Sequence, residues 1–467
     1  MVKQYSPITE SIPVIHIPTA PQTAPAQRNT KLHFRSQSGR FNRWRWGLNT
    51  LLIGLFFLLP LINYQGRQAI WFDLANQQFY LFGASLWPQD FTLLAWVFIA
   101  AAFALFFVTL FWGRVWCGFL CPQTAWTFMF VWVEEKFEGS RNQRIALDKA
   151  PMSLGKAGKR AGKHSVWLLL SLLTGCGFVA YFVPARELYT AIFSFSAAFW
   201  DTAWVWFFAL CTYLNAGWMR EMMCLHCCPY ARFQSAMFDD FTQTVTYDAA
   251  RGEARGPRKR KQATELGDCV DCNLCVEVCP TGIDIRNGLQ YECINCGACV
   301  DACNQTMDKF GYRPNLISYT SDTALKGRSQ PLWQRKRFLG YGLALLVVLA
   351  MLVLDLQTRE LIDLNVIRDR QSLYRVMDDD SVENSYVLKI RNKTQQDRHY
   401  SIAAEANLPL TLSQQEVFIA AGEQLELPLT VRVKPPIQQP SYQLRFVVTD
   451  SLDTHQTVGQ TSVFFSH

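Results

Sequence analysis

The stretch Cys269-Val-Asp-Cys272-Asn-Leu-Cys275-Val-Glu-Val-Cys279-Pro280, with Cys293-Ile-Asn-Cys296-Gly-Ala-Cys299-Val-Asp-Ala-Cys303 just downstream, decides how this chain is read. Each run is spaced C-x2-C-x2-C-x3-C, the pattern that holds a pair of [4Fe–4S] clusters. Two residues between successive thiolates let a short loop cap three irons of one cube. The fourth cysteine lies beyond the turn and closes the other cube. The expected ligand sets are Cys269, Cys272, Cys275 and Cys303 for one cluster, and Cys293, Cys296, Cys299 and Cys279 for the other. Two zinc knuckles or a disulfide scaffold are the alternatives, and eight cysteines in two identical frames leave little room for either. The chemistry implied is electron transfer.

Outside these runs the chain is unusually apolar. Of 467 residues half are hydrophobic, with 15 Trp and 33 Phe. These residues gather in long stretches, and crossing a bilayer takes about 20 of them. Five segments qualify: 46–64, 91–112, 166–184, 196–214 and 338–356. The first is not a signal peptide, because a long polar stretch precedes it and no small-residue cleavage pattern follows. Residues 1–45 are expected to form a disordered cytoplasmic tail, with its Pro- and Gln-containing part running to about Gly39.

The formal charge of +7 is distributed as a membrane protein distributes it. Lys and Arg crowd the N-terminus, the 113–165 loop and the 215–337 region, whereas the 65–90 loop carries only Arg67. This positive-inside alternation predicts a cytoplasmic N-terminus and cluster domain, and an exported C-terminal domain. The run Arg258-Lys259-Arg260-Lys261 then reads as a juxtamembrane face, not a nucleic-acid site. A reducing cytoplasm suits thiolate-held clusters and disfavours structural disulfides.

The expected fold class is a multi-domain membrane protein. A four-span membrane domain (46–240) leads into a dicluster ferredoxin-like domain (241–337), a fifth span (338–356) and a β-sandwich (357–467). Alternating runs at 386–391, 424–433, 442–448 and 461–465 supply the strands, and Pro428 inside the second suggests an edge or a bulge. The acidic run Asp378–Asp380 reads as a solvated turn.

The membrane part contains a repeat. Cys117-Gly-Phe-Leu-Cys121-Pro122 follows the second span, and Cys224-Leu-His-Cys-Cys228-Pro229 follows the fourth in the same frame. On one helix, residues i and i+4 would share a face. Alternatively each Pro starts a new helix, making Cys121 and Cys228 its N-cap residues. Either arrangement gives thiols at the membrane surface near the clusters, and soft thiolates select Cu(I), zinc or iron–sulfur centres. Met219, Met222, Met223 and His226 lie nearby as possible copper ligands, while Cys176 and Cys211 read as core residues and Cys227 has no counterpart in the first motif.

Taken together, the duplicated C-x3-C-P motifs, the dicluster insert, the following span and the exported β domain resemble the CcoG/FixG/RdxA family. The segment Gly113-Arg-Val-Trp-Cys-Gly-Phe-Leu-Cys-Pro-Gln-Thr-Ala-Trp126 is especially similar. The resemblance implies an accessory protein for assembly of cbb3-type cytochrome c oxidase, in the bacterial inner membrane with a periplasmic, immunoglobulin-like C-terminal β domain. It implies a cupric reductase in which Cys117, Cys121, Cys224 and Cys228 bind copper and the clusters supply electrons. Its partners would be copper delivery proteins and oxidase assembly factors. Asn304 stands where a Pro often follows the fourth cysteine. No G-x-G-x-x-G follows a strand, so the donor is expected to be a separate cytoplasmic protein or membrane quinol. A quinol-linked subunit of another reductase and a non-redox copper chaperone are the alternative functions.

Overall fold

A computed structural model describes residues 31–467, apart from 65, 260–264, 329, 370–372, 395, 436–438, 454–455 and 467. The expectation for residues 1–30, and that for Arg260 and Lys261, lies outside the described residues.

The membrane part opens with α1 (Arg40–Leu58), then a small outer β layer, then α2 (Phe91–Trp112). The layer consists of β1 (Asn63–Tyr64), β2 (Arg67–Gln68), β3 (Ile70–Asp73), β4 (Gln78–Leu81) and β5 (Ala84–Leu86), the last three forming an antiparallel sheet in that order. Next come α3 (Val115–Phe119), α4 (Pro122–Glu138), α5 (Arg141–Lys149), α6 (Leu154–Val179), α7 (Ala185–Phe193) and α8 (Phe199–Thr212). π-Helical stretches at Tyr213–Met219 and Met223–Cys227 lead to α9 (Pro229–Met237).

Three helices among the described residues are long and apolar enough to cross a membrane: Arg40–Leu61, Phe91–Trp112 and Lys336–Gln357. The other two expected spans take a different form. The apolar run 166–184 is cut at Val179 and shares α6 with a basic first half that includes Lys156, Lys159, Arg160 and Lys163. The run 196–214 yields a 14-residue α8 that widens into π-helix. A sequence window counts apolar residues without seeing where a helix is interrupted.

The ferredoxin-like domain is framed by β6 (Thr244–Tyr247) and β7 (Ile317–Thr320), paired antiparallel with Thr244 opposite Thr320. Its core gathers Val245, Ile283, Ile285, Met307 and Leu316 around the cysteines. Helix α10 (Ala298–Phe310) carries the end of the second cysteine run.

Residues 31–45 correct the expectation of a disordered tail. Phe34 is buried, the Arg35 amide donates to the Glu277 carbonyl at 2.8 Å, and α1 already begins at Arg40. Packing against the cluster domain supplies what the polar composition of this segment lacks.

Helix α11 (Lys336–Gln357) joins that domain to the C-terminal β-sandwich. One sheet runs β12 (Leu410–Leu412), β14 (Gln424–Val433), β10 (Val382–Asn392), β8 (Ile362–Arg368), with β9 (Arg375–Val376) also on β10. The other runs β13 (Glu416–Ile419), β11 (Arg398–Glu405), β15 (Ser441–Asp450), β16 (Thr457–Phe465). Alternation drives this: along β10 every second residue, including Tyr386, Leu388 and Ile390, faces the shared core. Pro428 pairs opposite Val387, and β12 covers only Val431–Val433. Among the described residues the outer side of β14 is therefore a free edge where Pro428 has no N–H to give.

Candidate metal centres

The two cysteine runs fold alike because the same positions leave the ordinary backbone region. Asp271 and Asn295 have φ of 51° and 50°, and Asn273 and Gly297 have φ of 57° and 71°. These are residue types that tolerate the left-handed region. Each pair of turns curls the loop so that its first two cysteines line a cavity, and a helix starts at Leu274 or Ala298 to carry the third.

Cys269, Cys272, Cys275 and Cys303 line one cavity. Cys279, Cys293, Cys296 and Cys299 line a second, with Cys275 at its border. The fourth cysteine of each run thus reaches the other run's cavity. The second cavity is otherwise walled by apolar groups such as Val245, Ile283, Ile285 and Ile294. Burial pushes the thiols of Cys275, Cys293 and Cys303 up to about 12. As free groups they hold their protons at neutral pH, and bound iron is what stabilises such thiolates. Among the described residues no three His, Cys, Asp or Glu side chains are gathered around a single ion's position. Each cavity is lined by at least four cysteines drawn from both runs, which is the donor set a [4Fe–4S] cluster takes.

The C-x3-C-P motifs take the second of the two expected geometries. Cys121 and Cys228 are N-cap residues, in extended conformation, of the helices that Pro122 and Pro229 begin. Cys117 sits on α3 and Cys224 in the π-helical turn, so neither motif is one continuous helix. Before each motif the chain breaks at positions 107 apart, Gly113 (φ 55°) and Arg220 (φ 42°). The halves brace one another reciprocally. Gln234 of α9 donates to the Gly113 carbonyl at 3.2 Å, and Gln123 of α4 donates to the Arg220 carbonyl at 3.3 Å.

The four thiols lie near enough to influence one another, though among the described residues no three of them are gathered around a single ion's position. Burial, then Cys121, Cys224 and Cys228 as neighbours, push Cys117 up to about 12. Burial and then Cys121 and Cys228 do the same to Cys224. The buried Arg114 guanidinium opposes both shifts and donates to the Ala231 carbonyl. Cys227 and His226 are exposed, as is Met222.

Motif and cluster loop are in direct contact. Cys117 packs against the buried cluster of Val278, Ile294, Cys296 and Ala298. A Cβ on Gly118 would lie 2.7 Å from the Ile294 carbonyl oxygen and 2.9 Å from the Cys296 Cα. Asn295, between two ligands, donates to the Trp112 carbonyl at the end of α2 at 3.1 Å. Sequence reading missed Arg114, Gly118, Gln234 and Asn295. Gly118 and Asn295 were signalled by position, each lying between paired cysteines; Arg114 and Gln234 carry no local signal.

Three family models match. Residues 219–322 match a 4Fe-4S dicluster domain, 94–138 a 4Fe-4S binding domain, and 352–467 the IG-like fold at the C-terminal of FixG, putative oxidoreductase. The chain is 39% identical to Protein RdxA of Cereibacter sphaeroides over 396 residues, 82% of this chain and 83% of the relative. It is 36% identical to nitrogen fixation protein FixG of Rhizobium meliloti over 418 residues, 81% of this chain and 80% of that one. Protein RdxB of Cereibacter sphaeroides is 39% identical over 401 residues, 80% of this chain and 82% of that protein. A crystal structure of a FixG-related protein from Vibrio parahaemolyticus is 30% identical over 23% of this chain and 97% of its own, with a TM-score of 0.21.

Proposed function

The chain belongs to the FixG/RdxA family of membrane iron–sulfur redox proteins, and on that premise we propose that it reduces Cu(II) to Cu(I) at Cys117, Cys121, Cys224 and Cys228. The observation that carries this is the contact of Gly118 and Cys117 with the Cys296 loop. It sets a loop of cluster ligands directly against the motif that carries the soft ligands. Cys269, Cys272, Cys275 and Cys303 hold one [4Fe–4S] cluster, and Cys293, Cys296, Cys299 and Cys279 the other. When bound, each cluster supplies one electron at a time, which matches the one electron that Cu(II) takes. Thiolates favour the softer Cu(I) and so pull the reduction forward. Arg114 offsets the charge of thiolates formed beside it. The distribution of basic segments supports a cytoplasmic position for the clusters and the thiols, at the inner face of a bacterial inner membrane, with the β-sandwich on the far side. Copper reduced there serves oxidase assembly, and segments 166–184 and 196–214 are read as the third and fourth spans of the membrane domain, with 338–356 as the fifth span.

The test is anaerobic. Cluster-loaded protein is reduced stoichiometrically and mixed with Cu(II), while cluster absorbance and a Cu(I)-specific chelator are followed together. Both signals should move in step, and Cys121→Ala or Cys228→Ala should abolish transfer with cluster content intact. Clusters that stay reduced while copper binds would leave a copper carrier instead.

A further inference from the structure

An open cavity of about 490 Å³ lies between the membrane helices and the cluster domain, within the size range of small-ligand sites. Phe34, Trp46, Phe128 and Trp132 make its wall aromatic. Ala298 lines it too, and the same Ala298 lines the cavity of Cys279, Cys293, Cys296 and Cys299. One alanine is therefore common to both walls. Arg45, only 4% exposed, also lines the cavity. It donates to the Asn42 Oδ1 at 2.7 Å and the Cys296 carbonyl at 3.4 Å, and its guanidinium lies 4.1 Å from the Phe128 ring centroid. Its Nε is buried with no hydrogen-bond partner among the described residues. A buried N–H left unpaired is costly and calls for an acceptor.

We propose that this cavity binds the head group of a membrane quinol, whose oxygen accepts from Arg45 and whose ring lies among the aromatic side chains. Four observations select that ligand. It reaches the site from the membrane, because Trp46 belongs to a candidate span and Trp46 and Trp132 are both exposed, as interfacial tryptophans are. It is redox-active, because Ala298 lines both this cavity and a cysteine-lined one. It presents an oxygen acceptor to a cation. It releases protons, for which the Glu135 carboxylate in the wall is the acceptor. Oxidation breaks both quinol O–H bonds: two protons pass to Glu135 and then solvent, two electrons leave, one for each of the two [4Fe–4S] clusters, and quinone is the product. The inference rests on the cluster assignment proposed above and not on copper being the acceptor.

The experiment uses full-length, cluster-loaded protein in lipid nanodiscs, without oxygen or copper. Titration with a short-chain ubiquinone analogue should quench tryptophan fluorescence saturably. Trp132→Phe should remove part of that quench, Ser36→Phe should fill the cavity and abolish it, and Arg45→Gln should raise the half-saturating concentration about ten-fold. Adding the quinol form should bleach the cluster absorbance of the wild type but not of Ser36→Phe, while dithionite bleaches both and so certifies the variant's clusters. A quench that never saturates, that all three variants leave unchanged, or that an acyl chain without a quinone ring competes away equally would overturn the proposal. So would a wild type that dithionite reduces and quinol does not. Quinol-reduced clusters that Cu(II) fails to reoxidise would instead sink the copper reading and leave this one standing.

Discussion

At Gly118 the neighbours of any added Cβ are backbone atoms, the carbonyls of Ile294 and Asn295 and the Cα of Cys296. Backbone held by cluster ligands cannot shift cheaply, so overpacking there costs about 1–3 kcal/mol. Gly118→Ala is expected to lower the thermal midpoint and slow cluster reoxidation by Cu(II) several-fold with iron content unchanged, both read on one anaerobic sample. Glu134 shows a different residue-scale constraint. It is fully buried and paired with Lys31 and, at 2.6 Å, with Arg220, the residue at the second chain break. Burial alone would raise its pKa, yet Arg220 and Lys31 hold the carboxyl down at about 2. Burial also lowers Lys31, so Arg220, always charged, is the partner that keeps Glu134 ionised. A depressed carboxylate contributes stability that is fully present above the usual carboxylate pKa near 4.5 and fades as pH falls toward about 2. Glu134→Gln strands the buried Arg220 and removes the partner of the more exposed Lys31, and should cost about 3 kcal/mol at neutral pH. Its difference from wild type should shrink on acidification through that window, as denaturant melts at several pH values would reveal.

The start of α1 shows how an element borrows its cap from another domain. Gly39 offers no side chain, and the first amides of α1 donate instead to Asp301 of α10: Asn42 N at 2.9 Å and Phe41 N at 3.3 Å. Asp301→Ala should cost about 1 kcal/mol, the usual worth of an N-cap, and should raise amide exchange at Phe41 and Asn42 while leaving the centre of α1 protected. No reading of the local sequence could have placed that cap, because its two partners are some 260 residues apart. The same limit explains which elements were legible. Helices α2 and α11 are uniformly apolar, and β10, β14, β15 and β16 alternate with period two, so local pattern sufficed. The cysteine runs were legible because spacing alone encodes their loops. Segments 166–184 and 196–214 were less so, since the end of α6 at Val179 and the π-helical widening at Tyr213 interrupt runs whose composition is continuous. The junction between Gly118 and Cys296 was invisible for the reason the Asp301 cap was: it is a contact between domains.

Across the whole molecule, the two ends of the membrane helices meet different domains. The start of α1 and the end of α2 touch the cluster domain through Asp301 and Asn295, whereas the start of α2 meets the β-sandwich at Asp90. Asp90 there accepts from Arg359, at the foot of the sandwich, at 2.8 Å and pairs with the buried Lys393 at 3.4 Å. Arg359 also donates to the Ser85 carbonyl, tying the outer β layer into the same joint. Removing the carboxylate leaves one nearly buried and one largely buried cation uncompensated, at a cost of about 3 kcal/mol. That cost falls on the joint, because the sandwich has its own core, with Leu388, Tyr400, Phe446 and Val448 inaccessible to solvent. Asp90→Ala should therefore speed proteolysis between Gln357 and Leu361 several-fold, while the β-sheet melting transition stays where it is. Loss of that transition would mean that Asp90 stabilises the sandwich itself. An unchanged cleavage rate would mean that the helix and the sheet layer hold the sandwich without the ion pair.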